Sequence, residues 1–190
     1  MPSAAFTTAI ASRYRIEREL GQGGMATVYL AHDVKHGRNV ALKVLRDDVT
    51  HTVGADRFLR EIQLAARLNH PNIIALFDSG EIDGVLLYVM PAVDGQSLRE
   101  LLDAKRQLAV EDTVRIVTEV ASALEHAHRH GVVHRDIKPE NILLHGGHAL
   151  VADLGMGMLL SDVDGAGFTQ AWMSVGTRAC MSPAQAVGED

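Results

Sequence analysis

The segment His134-Arg135-Asp136-Ile137-Lys138-Pro139-Glu140-Asn141 constrains this 190-residue chain more than any other. Within one short loop it sets a carboxylate that can receive a hydroxyl proton, an ammonium that can hold a phosphate, and an amide oxygen suited to magnesium. The apolar Ile142-Leu143-Leu144 follows directly, and Ala149-Leu150-Val151 lies beyond Gly146-Gly147. These runs read as a short hairpin with the polar loop on one side and a second acidic motif, Asp153-Leu154-Gly155, on the other.

Three further pieces stand upstream. Gly21-Gln22-Gly23-Gly24-Met25-Ala26-Thr27-Val28 lies between the strand-like runs Tyr14 to Leu20 and Thr27 to Ala31. Glycines there let a backbone fold closely over phosphates and point its N–H groups at them, although a plain hairpin loop has the same composition. Val40-Ala41-Leu42-Lys43-Val44-Leu45 is an apolar strand with one lysine. A charge in such a strand needs a partner. Glu61, on the inward stripe of a helix expected from Ala55 to Leu68, is the natural one.

With Arg60-Glu61, Leu68-Asn69-His70-Pro71-Asn72-Ile73 and Ile137-Lys138-Pro139-Glu140-Asn141 in place, the sequence resembles the bacterial Ser/Thr protein kinases of the Hanks type, from Tyr14 to about Gly188. The resemblance implies an α+β, bilobal kinase-like fold: a small β-rich lobe with one helix (13–93) and a mainly helical, incomplete large lobe (94–190), preceded by a flexible tail (1–12). It also implies ATP and Mg2+ as cofactors and protein Ser or Thr hydroxyls as acceptors. Lys43 would contact the α- and β-phosphates and pair with Glu61. Asp136 would orient the acceptor and take its proton, and Lys138 would neutralise charge developing on the γ-phosphoryl group. Asn141 and Asp153 would hold the magnesium ions. His134 would pack beneath the loop, and Arg135 would receive a phosphorylated residue, with Thr169 and Ser174 as candidates and Thr177 shaping the substrate site.

For the nucleotide base, Leu20, Val28, Ala41 and Leu143 match the positions that sandwich adenine, and Met90 the position behind it. The carbonyl of Pro91 and the backbone of Val93 would contact its edge, while Gly21, Gly23 and Gly24 would cover the phosphates. Taken singly, outside the frame of the motifs, each of these apolar residues reads first as ordinary core packing. Ala26 replaces the third glycine of the lid, Leu154 the usual phenylalanine beside Asp153, and Cys180 and Ala184 a tyrosine and a glutamate of the family. The resemblance implies further helices after Asp190, so that the helix at 111–130 would keep bare apolar surface and favour self-association.

The remaining features bound the reading. A formal charge of −6 without a basic cluster argues against nucleic-acid binding. One cysteine, Cys180, excludes an internal disulfide and suits a reducing, cytoplasmic setting. No run reaches membrane-spanning length, and Met1 to Ser12 lacks the positive start of a signal peptide. Apolar periodicity predicts strands at 14–20, 27–32, 39–45, 74–79 and 85–90. It also predicts a helix over 111–130 that buries a stripe of Val110, Val114, Val117, Ala121, Leu124 and His128 and ends at Gly131. Ten histidines raise the question of a transition metal, but His126, His128 and His130 do not share one helix face. The rival to a kinase is a kinase remnant that binds nucleotide or a partner without phosphorylating it.

Overall fold

The computed structural model describes residues 4–53, 55–154 and Cys180, apart from the side chains of residues 4, 5, 51–53, 55, 57 and 61. Two compact units emerge, one of residues 1–66 with 75–93 and one of residues 67–74 with 94–190.

In the first unit, alternating apolar residues on β1 (Tyr14–Gln22), β2 (Ala26–Asp33), β3 (Arg38–Leu45), β4 (Asp78–Ile82) and β5 (Val85–Pro91) build an antiparallel sheet in the order β1-β2-β3-β5-β4. Because successive side chains alternate, the register sorts them onto two faces. One face carries Tyr29, Ala31, Val40, Leu42, Val44, Leu87 and Val89 in a single buried cluster. Phe6 and Ile10, which complete that cluster, come from helix α1 (Ala4–Ile10). Within the segment 1–12 expected as a flexible tail, residues 4–10 thus form a helix, whose Phe6 and Ile10, spaced four apart, bury against the sheet, with Ile10 only 1% exposed. The segment 74–77, expected as strand, is irregular, and β4 begins at Asp78.

Helices α2 (Asp47–Val53) and α3 (Ala55–Ala65) follow β3; α3 ends three residues earlier than its apolar periodicity predicts. Phe58 and Ile62, one turn apart on α3, are fully buried, and the Phe58 ring meets Tyr88 of β5 at 6.5 Å. Between β2 and β3, the buried Asp33 carboxylate accepts the N–H groups of Lys35 and His36 at 3.1 Å each, which fixes the turn without help from the sheet.

In the second unit, β6 (Gln96–Ser97) leads into α4 (Leu98–Lys105), whose start is a capping box. Ser97 Oγ accepts the Glu100 N–H, and the Glu100 carboxylate accepts the Ser97 N–H. Helix α5 (Val110–Arg129) is followed by Gly131 at φ 74°, the left-handed stop that glycine supplies without strain. A short 3-10 turn (Pro139–Asn141), β7 (Ile142–His145) and β8 (His148–Val151) complete the described elements. The β7–β8 hairpin turns at Gly146 and Gly147, both at positive φ.

The buried stripe of α5 differs from expectation. Ile116, Val120, Ala123 and Ala127 face inward, whereas Val110, Val114 and Val117 are 72%, 59% and 60% exposed. Both rows have helical spacing, so periodicity alone cannot choose between them. Polar anchoring does: Glu119 accepts the Ala149 N–H and contacts His148 Nδ1, each at 2.7 Å, and so turns its side of the helix toward β8.

Candidate phosphotransfer site

The candidate catalytic loop, residues 134–141, is suspended from one buried imidazole. His134 is 1% exposed. Its Nε2–H donates to the Ala152 carbonyl at 2.8 Å, and its Nδ1 accepts the Asp136 N–H at 3.2 Å. Burial holds the ring below the ordinary histidine range, so it stays neutral and keeps one donor and one acceptor. His134 thus ties the start of the loop to the residue before Asp153, and Asn141 ties the end: its N–H reaches the Lys138 carbonyl, and the Ala152 N–H reaches its own carbonyl. Arg135 adopts φ 62° and Asp153 φ 61°, left-handed conformations that cost free energy for side chains with a Cβ and persist where surrounding bonds enforce them.

Within this frame Asp136 is held on one side only. Its Oδ2 meets Lys138 Nζ at 2.7 Å and accepts from Asn141 Nδ2 at 3.1 Å, while the same Asn141 amide donates to the Asp136 carbonyl at 2.8 Å. Among the described residues its Oδ1 is buried and has no partner. A carboxylate oxygen left bare in this way costs stability unless another donor uses it. The loop therefore presents one anchored and one open acceptor.

Asn141 spends its amide nitrogen on Asp136, which leaves the amide oxygen as a hard donor; Asp153 brings a carboxylate to the other end of the hairpin. That donor chemistry fits magnesium, which takes few protein oxygens and completes its shell with water and phosphates. No cluster of three or more histidine, cysteine or acidic side chains among the described residues could hold a metal by itself.

The first unit carries the nucleotide-side candidates. The register pairs Val28 with Lys43 and Ala41 with Met90, which puts all four on the sheet face opposite the α1 cluster. Lys43 Nζ stands 5.7 Å from the Tyr88 ring centre. Leu20 sits at the register shift between Glu19 and Gly21 and is 44% exposed. The β1–β2 turn closes through Gly23 N–H to Ala26 O at 2.9 Å. Among the described residues a Cβ at Gly21 or Gly24 would meet nothing within 4 Å, and one at Gly23 only the Ala26 carbonyl at 3.7 Å, so local packing gives no reason for these glycines. Pro91 ends β5, and Val93 is half-buried beyond it. Leu143, half-buried on β7, belongs to the second unit.

Glu61 lies on α3, but its side chain, and with it the pairing to Lys43, falls outside the described residues, as do Thr169, Ser174, Thr177 and Ala184. Sequence reasoning passed over Asn72 as a working residue. Its Nδ2 donates to the Ala149 carbonyl at 2.8 Å, its carbonyl accepts the Val151 N–H at 2.8 Å, and the Ile74 N–H bonds Val151 O, so this loop braces β8 just ahead of Asp153. Arg99 was also missed; it bonds Glu140 of the catalytic loop at 3.0 Å.

A carboxylate, a cation and two oxygen donors stand on the 134–141 loop and its hairpin in one unit, and a lysine-bearing sheet and a glycine turn in the other, the residue types that phosphate chemistry uses. Residues 14–186 match the protein kinase domain, and the chain belongs to that family. It is 46% identical over 186 residues to a probable serine/threonine-protein kinase of Streptomyces coelicolor, covering 95% of this chain and 28% of the relative. It is 41% identical over 181 residues to the serine/threonine-protein kinase PrkC of Bacillus subtilis, covering 94% and 28%. Among solved structures, the kinase domain of Mycobacterium tuberculosis PknI matches with 39% identity and a TM-score of 0.68 over 75% of this chain and 58% of that one. A point-mutant form of it matches at 32% identity and a TM-score of 0.75, covering 100% and 70%. The chain thus spans under a third of the length of these two curated relatives. No described helix is long and apolar enough to cross a membrane.

Proposed function

We propose that this chain carries the phosphotransfer machinery of a cytoplasmic Ser/Thr protein kinase, which moves the γ-phosphate of ATP to protein hydroxyls. The observation that carries this reading is Asp136, with Oδ2 fixed by Lys138 and Asn141 and Oδ1 buried and open. An acceptor hydroxyl that donates to Oδ1 satisfies the bare oxygen, is oriented by it, and yields its proton there as the O–P bond forms. Lys138, already at the carboxylate, lies within reach of charge that develops on the transferring group. Asn141 and Asp153 are the residues to hold magnesium, which when bound neutralises phosphate charge.

Lys43 is the residue to grip the α- and β-phosphates, with Glu61 as its partner, beneath the turn of Gly21, Gly23 and Gly24. Leu20, Val28, Ala41, Met90 and Leu143 are the apolar surfaces for adenine, and Pro91 and Val93 its backbone contacts. Arg135 is the receptor for phosphate on Thr169 or Ser174, and the exposed Val110, Val114 and Val117 row is the surface for self-association. The direct test follows radiolabelled phosphate from magnesium-ATP into a generic basic protein, with phosphoamino-acid analysis of the product. Label on serine and threonine supports the reading; no label with wild-type chain that binds ATP overturns it in favour of a binding remnant.

A further inference from the structure

Helix α5 meets the 67–74 loop through three histidine rings. His70 and His126 lie 5.3 Å apart between ring centres, and His126 and His130 lie 4.4 Å apart. Two of the rings have a defined hydrogen-bonding state. His70 Nδ1 accepts the Asn72 N–H at 3.1 Å, so its proton is on Nε2, which faces Ser122 Oγ at 3.2 Å. His130 Nδ1–H donates to the His126 carbonyl at 2.8 Å. Among the described residues His126 Nε2 is buried with no partner. A metal ion does not explain the cluster, since no group of three such ligands among the described residues is arranged to hold one.

The groups that act on His126 are all basic. His130 and Arg129 come from its own helix and His70 from the loop. Of the α5 carboxylates that precede His126 in sequence, Glu125 pairs with Arg129, and Glu119, on the β8 side, with His148 and the Ala149 N–H. Among the described groups that act on His126, none is an acid to absorb a second charge. A proton on His70 Nδ1 would further replace an acceptor by a donor facing the Asn72 N–H.

Asn72 makes that local event matter at a distance. It is the residue that braces β8 through Ala149 and Val151, and Val151 stands one residue before Ala152, the acceptor of His134. We propose that His70, His126 and His130 form an acid-sensitive joint, which in neutral form fastens the 67–74 loop to α5 and which loosens β8 and the catalytic loop when protonated. The proposal rests on the phosphotransfer reading only for its effect on activity; the joint itself is structural.

The sign follows from linkage. Burial, then His130, His70 and Arg129, lower the folded-state affinity of His126 for a proton, so the unfolded chain binds more protons below about pH 6.5, the ordinary histidine value. The joint's stabilisation is complete above that pH and is lost as the pH falls through the depressed folded value. His134 slopes the same way, so the total acid sensitivity does not identify the joint.

The test therefore reads the chain residue by residue. Imidazole C–H resonances of the wild-type chain are titrated by NMR between pH 8 and 5, with amide-exchange protection factors of Asn72 and Val151 followed in parallel. The expected result is a several-fold loss of protection at both amides that tracks the His126 titration, and a clear flattening of that loss in His126→Phe. Protection that stays constant while His126 titrates overturns the proposal, and so does a Phe variant with the wild-type profile. If the Phe variant does not fold, the wild-type titration alone decides. Phosphate transfer at each pH is recorded separately: absent transfer with a working joint refutes the kinase reading and leaves the joint intact.

Discussion

Replacement of His134 by phenylalanine should be the most damaging conservative change in the second unit. The ring fills nearly the same space, so no large cavity forms, but phenylalanine can neither donate to the Ala152 carbonyl nor accept the Asp136 N–H. A buried backbone group left without a partner costs about 1–3 kcal/mol. The Ala152 bond at 2.8 Å deserves the upper part of that range, and the longer Asp136 contact at 3.2 Å the lower part. Better transfer of a phenyl ring than an imidazole into the interior returns part of the loss, for a net destabilisation of about 3 kcal/mol. Urea unfolding followed by an N–H resonance of Val151 or Ala152 measures it. His134 also binds its proton more weakly folded than unfolded, so His134→Phe should lose the part of the stability decline that the wild type shows below about pH 6.5. A change under about 0.5 kcal/mol, or an unaltered acid slope, would refute the suspension of the loop from this ring.

Other substitutions probe separate links. Phe6→Ala should destabilise the first unit by about 3 kcal/mol, because its ring is 3% exposed in the sheet cluster; thermal melting would show no shift if residues 4–10 were a loose tail. Gly95→Ala should be poorly tolerated, since its Cβ would fall on the Leu144 carbonyl oxygen, and a melting temperature equal to wild type would contradict the close approach of β6 and β7. Glu119→Gln keeps the shape but weakens the contacts to His148 and the Ala149 N–H; a loss of about 1 kcal/mol is expected in denaturant titration.

What was legible in the sequence was whatever rests on local chemistry. Asp136, Lys138 and Asn141 sit within six residues, so their meeting follows from the loop itself, and the hairpin that holds them is announced by Gly146-Gly147. The α4 capping box, Ser97 to Glu100, was equally readable and was overlooked. Long-range choices were not readable. Which of two apolar rows of α5 is buried depends on Glu119 reaching β8, thirty residues away from Ala149 in sequence. Helix α1 exists because a sheet face is available to Phe6 and Ile10, a partner that no window of the first dozen residues contains. Asn72 stood inside a segment used only for resemblance, and its bracing of β8 required the fold to be closed.

Proton acceptance by the open oxygen of Asp136 is the step on which the proposed phosphotransfer reaction rests. It is tested most directly by Asp136→Asn, which keeps size and most hydrogen bonds but removes the base. Single-turnover transfer from radiolabelled magnesium-ATP to protein should fall by at least about 100-fold, with ATP affinity and unfolding midpoint nearly unchanged. Transfer within about threefold of wild type, in a variant shown to be folded and nucleotide-bound, would contradict it.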